Sequence, residues 1–162
     1  MTGDFVRASG HLSLGSRLKR IGERLQGDVN RLLEAEGIDV PAPFFPALTA
    51  LQQAGSLTVG GLAEAMGVSQ PGVTRSLAQM EKMGLVKSSR GKADQRQRSI
   101  SLTPKGDQLV TRTHQDLWPR VRDAVAELCA GLEGPMLTQL DQMEDELKRL
   151  PLDRRAAKPR KE

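Results

Sequence analysis

The chain has 162 residues, 24 Lys and Arg against 20 Asp and Glu, a formal net charge of +4 and 38% hydrophobic residues. That length suits one domain, or two small lobes that share a core, and it buries a real core without disulfide or metal staples. No apolar run approaches the roughly 18 residues of a membrane span, the opening Met-Thr-Gly-Asp is no secretory signal, and the single cysteine fits a reducing compartment, so a cytoplasmic chain without membrane association is expected.

From Leu12 to Glu36 the apolar positions Leu14, Leu18, Ile21, Leu25, Val29 and Leu32 recur at steps of three and four, which predicts a long amphipathic helix. Ser13 can cap its start and Gly37 can stop it. Val40-Pro41-Ala42-Pro43 reads as a linker, because proline restricts itself and the residue before it. A short helix through Phe45, Leu48 and Leu51 follows, ending near Gly55.

Thr58 is a suitable cap for the next helix, whose buried side is Val59, Leu62, Ala63 and Met66 and whose end is Gly67. After Val68, Ser69 can cap another, with Pro71 tolerated in the first turn, where N–H groups lack intrahelical partners anyway. Its stripe is Val73, Leu77 and Met80, and Gly84 ends it as a left-handed residue. Leu85 to Ser88 and Arg98 to Leu102 alternate with period two and predict a two-stranded hairpin around a polar, basic tip containing Gly91.

Thr103 as cap and Pro104 as first residue open a long helix with the stripe Leu109, Thr113, Leu117, Val121, Val125 and Leu128, broken by Gly131 and Gly134. A last helix carries Leu137, Leu140, Met143, Leu147 and Leu150, and residues 151–162 read as a flexible tail. The organisation expected is therefore an N-terminal dimerisation helix with a connecting helix (1–55), a winged lobe (56–105), C-terminal dimerisation helices (106–150) and the tail. The fold class is mainly α with a small β-hairpin wing.

The charge is unevenly spread. Residues 56–105 hold eight basic and three acidic residues, a net of +5, whereas residues 1–55 are neutral and residues 106–162 stand at −1. A local basic excess is the footprint of a nucleic-acid surface, or simply of a solvated face. Aromatics at 2% argue against a stacking platform for single strands. Ala63, Gly67 and Val73 suit a helix-turn-helix: a small residue for close crossing, a glycine for positive φ in the turn, and an apolar residue to pack the second helix back. That second helix presents Ser69, Gln70, Thr74, Arg75, Gln79 and Lys82. Side chains of these types pair with base edges or phosphates in a major groove. The bland alternative is an ordinary helical hairpin. The tip, with Arg90, Lys92, Asp94, Arg96 and Arg98, can place an arginine in a narrow minor groove, with Asp94 holding the fork of Arg96, or it is a charged loop without a role.

With these features in place, the chain resembles the MarR family of winged helix-turn-helix transcriptional regulators. The resemblance rests on the stretch Leu57 to Gln70, on Val73-Thr74-Arg75-Ser76-Leu77 with Met80 to Val86, on the Asp-x-Arg of Asp94 to Arg96, and on Leu102-Thr103-Pro104-Lys105-Gly106. It implies a homodimer on double-stranded DNA, acting as a repressor, with N- and C-terminal helices intertwined and half-sites about one turn apart. It also implies that a small aromatic effector, if one exists, sits where the dimerisation helices meet the lobe. That region would be lined by Leu14, Arg17, Leu18, Phe44, Phe45, Leu48, His114 and Trp118, which read equally well as core.

An enzyme is not expected, since no Ser/His/Asp or Cys/His arrangement and no phosphate-binding glycine loop stands out. No cofactor or metal is expected either: His11 and His114 are not at ligand spacing, and Cys129 reads as a small hydrophobe. A winged module that binds protein, or DNA without sequence preference, is the remaining alternative.

Overall fold

A computed structural model of the chain describes residues 4–90 and 98–149. In chain order these residues form α1 (Phe5–Ala8), a 3-10 turn at Gly10–Ser13, α2 (Leu14–Ala35), a second 3-10 turn at Ala42–Phe44 and α3 (Phe45–Ala54). Then come β1 (Ser56–Thr58), α4 (Val59–Met66), α5 (Gln70–Lys82), β2 (Val86–Arg90), β3 (Arg98–Leu102), α6 (Pro104–Asp116), α7 (Trp118–Cys129) and α8 (Met136–Arg149). The expectations for Lys92, Asp94, Arg96, Leu150 and the tail 151–162 lie outside the described residues, as do the side chains of Arg90, Leu137 and Leu147.

The chain divides into two compact units, Met1–Pro119 and Arg120–Glu162. In the first, Leu48, Leu51, Leu62, Met80 and Val110 are 0% exposed. They join α3, α4, α5 and α6 into one hydrophobic core, with Leu85 and Ile100 closing it from the sheet side. At the N-terminus Asp4 caps α1 by accepting from the Arg7 N–H at 3.0 Å and pairs with Arg20 of α2 at 2.9 Å. The Arg20 guanidinium, and then the Arg7 amide, hold the Asp4 carboxyl below the usual carboxylate range. Asn30 of α2 accepts from the Ala42 N–H at 2.7 Å and fixes the proline-rich connection to the helix. In the second unit Val125, Leu128, Leu132 and Met136 are exposed.

Four features depart from the sequence expectations. The sheet has three strands, ordered β1-β3-β2, rather than two. Three residues are too short for a period-two signal, and β1 exists through its antiparallel pairing with β3, Leu57 opposite Ile100. The expected single long helix is two helices, α6 and α7, separated at Leu117. Pro119 accounts for the break: it lacks an N–H, and its ring collides with the carbonyl of the preceding turn. The inward stripe of α6 includes the fully buried Val110 and Gly106, whereas Leu109 is only partly buried. Finally, Ser13 and Ser69 stand at N-cap positions without making a side-chain cap bond, unlike Thr58 and Thr103.

Candidate nucleic-acid interface

The helix-turn-helix is built from α4, the turn at Gly67 and α5. Thr58 Oγ1 accepts from the Gly61 N–H at 3.0 Å and so fixes the start of α4. Gly67 takes φ 63° at its end. The Val68 N–H then bonds the Ala63 carbonyl at 3.0 Å, which turns the chain tightly into α5. Ala63 and Val73 are buried at 5% and 2% exposure and belong to the same core cluster, as their types suggest.

Val73, Leu77 and Met80 bury one face of α5, and the other face is free: Gln70, Thr74, Arg75, Gln79 and Lys82 are all exposed, as is Ser69 before them. Two of these side chains are partly committed. Thr74 Oγ1 donates to the Gln70 carbonyl at 2.9 Å, which leaves its methyl and its lone pairs outward. The Gln70 amide leans over α4, where a Cβ on Gly60 would stand 3.1 Å from its Nε2; the glycine makes the room.

The base of the wing is tied to α5. Arg98 Nη2 donates to Glu81 Oε1 at 3.2 Å, and Ser88 Oγ donates to the same oxygen. Arg98 thus stands on a carboxylate while its side chain stays 63% exposed, so it positions the wing as well as facing outward. Glu81 and Ser88 have no counterpart in the sequence reading, because nothing in the spacing of residues so far apart signals that they meet.

A further cluster secures the corner between α5 and β2. The Thr103 N–H donates to the Leu85 carbonyl at 3.0 Å, and Thr103 Oγ1 donates to the Gly84 carbonyl at 2.6 Å. The same oxygen accepts from the Gly106 N–H at 3.1 Å. Lys105 Nζ donates to the Met83 carbonyl at 2.8 Å, a cation on the C-terminal end of α5. Gly106 is buried so closely on this corner that a Cβ would lie 3.0 Å from the Leu85 carbonyl carbon and collide with its oxygen. The segment Leu102 to Gly106 therefore acts as a clasp on the carbonyls of Met83, Gly84 and Leu85.

The residues expected around an effector do not gather at one place. Phe45 and Trp118 meet edge to face, with centroids 4.8 Å apart, and both line a cleft of about 860 Å³. Phe44 and Leu48 turn into the core instead, at 7% and 0% exposure. Leu14, Arg17, Leu18 and His114 do not line the cleft, and Leu18 and His114 are exposed. Its other walls come from Leu25, Gln26 and Val29 of α2, from Thr49 and Gln53 of α3, and from Met66 and Val68. The stripe of α2 contained Leu25 and Val29, but periodicity does not distinguish a cleft wall from core. Cys129 is half-buried.

Comparison with known proteins identifies the lobe. The MarR family model matches residues 41–97, which include α3, the helix-turn-helix and β2 and end before β3. A MarR family regulator from Silicibacter pomeroyi superposes with a TM-score of 0.58 at 29% identity, over 86% of this chain and 90% of its own. A mutant of E. coli MarR in complex with operator DNA gives a TM-score of 0.67 at 21% identity, over 83% of this chain and 92% of its own. BpsR from Bordetella bronchiseptica, whose DNA binding is regulated by 6-hydroxynicotinic acid, gives 0.64 at 21% identity, over 82% of this chain and 93% of its own. Residues 41–97 thus carry the match to the MarR family model, and the fold that runs through the flanking helices is similar to that of MarR family transcriptional regulators.

Proposed function

We propose that the chain is a cytoplasmic repressor that binds a pseudo-palindromic operator as a homodimer and is released by a small-molecule effector. The observation that carries this reading is the exposed polar face of α5, with Gln70, Thr74, Arg75, Gln79 and Lys82 opposite a stripe fully committed to the core. Such a helix enters the major groove, where Gln and Arg pair with base edges and Lys neutralises phosphate. Arg90, Lys92, Arg96 and Arg98 of the wing reach the neighbouring minor groove, with Asp94 orienting Arg96. The helices flanking 56–105 supply the dimer contacts, and the uncovered Val125, Leu128 and Leu132 favour that role. Two-fold symmetry then sets the recognition helices about 34–36 Å apart.

Two relatives support the reading: E. coli MarR has been captured on operator DNA, and BpsR answers to an aromatic acid. Phe45, Trp118 and the cleft they share are the candidate effector wall. The test is selection of random duplex DNA at near-physiological salt. A pseudo-palindromic motif is expected. Retention without a motif, collapsing as salt rises, would instead make the chain a nonspecific winged module.

A further inference from the structure

The first turn of α4 holds two successive glycines, Gly60 and Gly61, and their neighbours differ. Glycine weakens a helix relative to alanine, because it has more backbone freedom to lose. Neither of the two takes a positive φ, so neither needs to be glycine for the sake of its backbone. A Cβ on Gly61 would stand 3.3 Å from Thr58 Oγ1 and 3.8 Å from a methyl of Leu57, so that position keeps the cap of α4 clear. A Cβ on Gly60 would instead stand 3.1 Å from Gln70 Nε2, with Thr58 Oγ1 and Gln70 Cδ at the ordinary contact distances of 3.9 and 4.0 Å. What Gly60 makes room for is a side chain of the exposed face of α5, not a part of the core.

The backbone of Gln70 is held in place. Its carbonyl accepts from Thr74 Oγ1 at 2.9 Å, and the Val73 N–H bonds the Ser69 carbonyl at 3.2 Å. Val73 and Leu77 anchor α5 in the core. Position 60 therefore acts on Gln70 through its amide. A long polar side chain on an open surface spreads over several rotamers and loses that freedom when it pairs with a base. An amide resting on the first turn of α4 has fewer poses to lose when DNA arrives, which favours one reading over others.

We propose that Gly60 is a specificity-determining residue that acts by positioning Gln70. Its missing side chain gives the Gln70 amide a seat on the first turn of α4, from which the amide presents its donor and acceptor to one base pair. A methyl group at position 60 closes the seat, turns the amide toward solvent and alters the preference at that base pair alone. The role in specificity rests on the DNA-binding reading; the seat does not.

Two measurements test this. In the DNA-free protein, NMR correlation spectra follow the side-chain amides. Gly60→Ala should shift the Gln70 signal, identified by its loss in Gln70→Ala, and leave that of Gln79 in place. An unmoved Gln70 signal overturns the seat. Selection of random duplex DNA then compares the unaltered protein, Gly60→Ala, Gln70→Ala and the double variant. Gly60→Ala should change the preference at one position of the half-site by at least about fivefold, and should change nothing once Gln70 is alanine. A motif that Gly60→Ala leaves intact, or a change that persists without Gln70, overturns the positioning role. The double variant is also the folding control, since damage to α4 itself would show with or without Gln70. No motif from the unaltered protein refutes the DNA-binding reading, and the role in specificity with it, while the amide signal still reports the seat.

Discussion

Replacing Gly106 by alanine sets two effects of opposite sign against each other. In an exposed helix interior, alanine stabilises by about 1 kcal/mol over glycine, through backbone entropy. Gly106 lies in the first turn of α6 and is buried, and its added Cβ would collide with the Leu85 carbonyl oxygen and lie 3.0 Å from the carbon. No flexible side chain can yield there, since the obstacle is backbone. Leu85 is held from both ends: its N–H bonds the Met80 carbonyl at 2.9 Å and its own carbonyl takes the Thr103 N–H at 3.0 Å. Relief therefore requires α6 to lift off the corner. Overpacking of this kind costs about 1–3 kcal/mol, and weakening the Thr103 bonds adds about 1 kcal/mol. The net expectation is destabilisation by about 1–3 kcal/mol. Gly27→Ala is the control, because it lies within α2 and its Cβ would meet only the end of Arg31 at 4.0 Å. It should stabilise by about 0.5–1 kcal/mol. Urea unfolding followed by circular dichroism reads both. A midpoint for Gly106→Ala at or above that of the unaltered protein would refute the close-packed corner.

Arg96→Ala should weaken DNA binding and make the dependence of affinity on salt shallower by about one counterion. An unchanged slope with unchanged affinity in fluorescence anisotropy would leave the wing tip without a DNA contact. Gln70→Ala should relax base preference by about 1–3 kcal/mol at the position it reads. Recovery of the same motif from random DNA would show that Gln70, leaning on Gly60, does not reach the bases. A double-mutant cycle of Glu81→Ala and Arg98→Ala should give a coupling of about 0.5–1 kcal/mol in stability, as expected for a pair that is largely exposed. Zero coupling would mean that the Arg98–Glu81 pair does not hold the wing base.

Much of the lobe was legible because its signals are local. Thr58 and Thr103 lie at helix starts and make the cap bonds their side chains allow, and Gly67 and Gly84 take the positive φ that ends a helix. The exposed face of α5 also followed from spacing, since positions 73, 77 and 80 fix one side and leave the rest to solvent. What escaped was non-local. β1 is three residues that become a strand only against β3. Glu81 finds Ser88 and Arg98 through the hairpin, and Arg112 of α6 finds the Glu36 carbonyl at the end of α2. The cleft around Trp118 draws on four separate segments, so the sequence supplied its aromatic pair, Phe45 and Trp118, and missed most of its walls. The break at Leu117 was a failure of weighting: Pro119 was visible, yet an unbroken apolar stripe argued for continuity.

The division of α5 between a buried and an exposed face bears on how such a surface can change. Val73, Leu77 and Met80 are at most 5% exposed, so truncating any of them opens a cavity at a cost of about 2–5 kcal/mol for Leu or Met. Gln70, Arg75 and Gln79 touch solvent, and surface substitutions there shift stability by only about 0.5 kcal/mol. The exposed residues of α5 can thus vary while the fold stays fixed. The clasp works the other way. Thr103 and Lys105 lie outside α5 and the strands of the wing, yet they hold three successive carbonyls at the joint where α5 turns into β2. On the proposed reading, a helix and a wing that enter adjacent grooves together need their mutual angle held, and these contacts would hold it from behind. Changes at the clasp should therefore lower affinity for every DNA sequence alike, whereas changes at Gln70 or Arg75 should redistribute affinity among sequences.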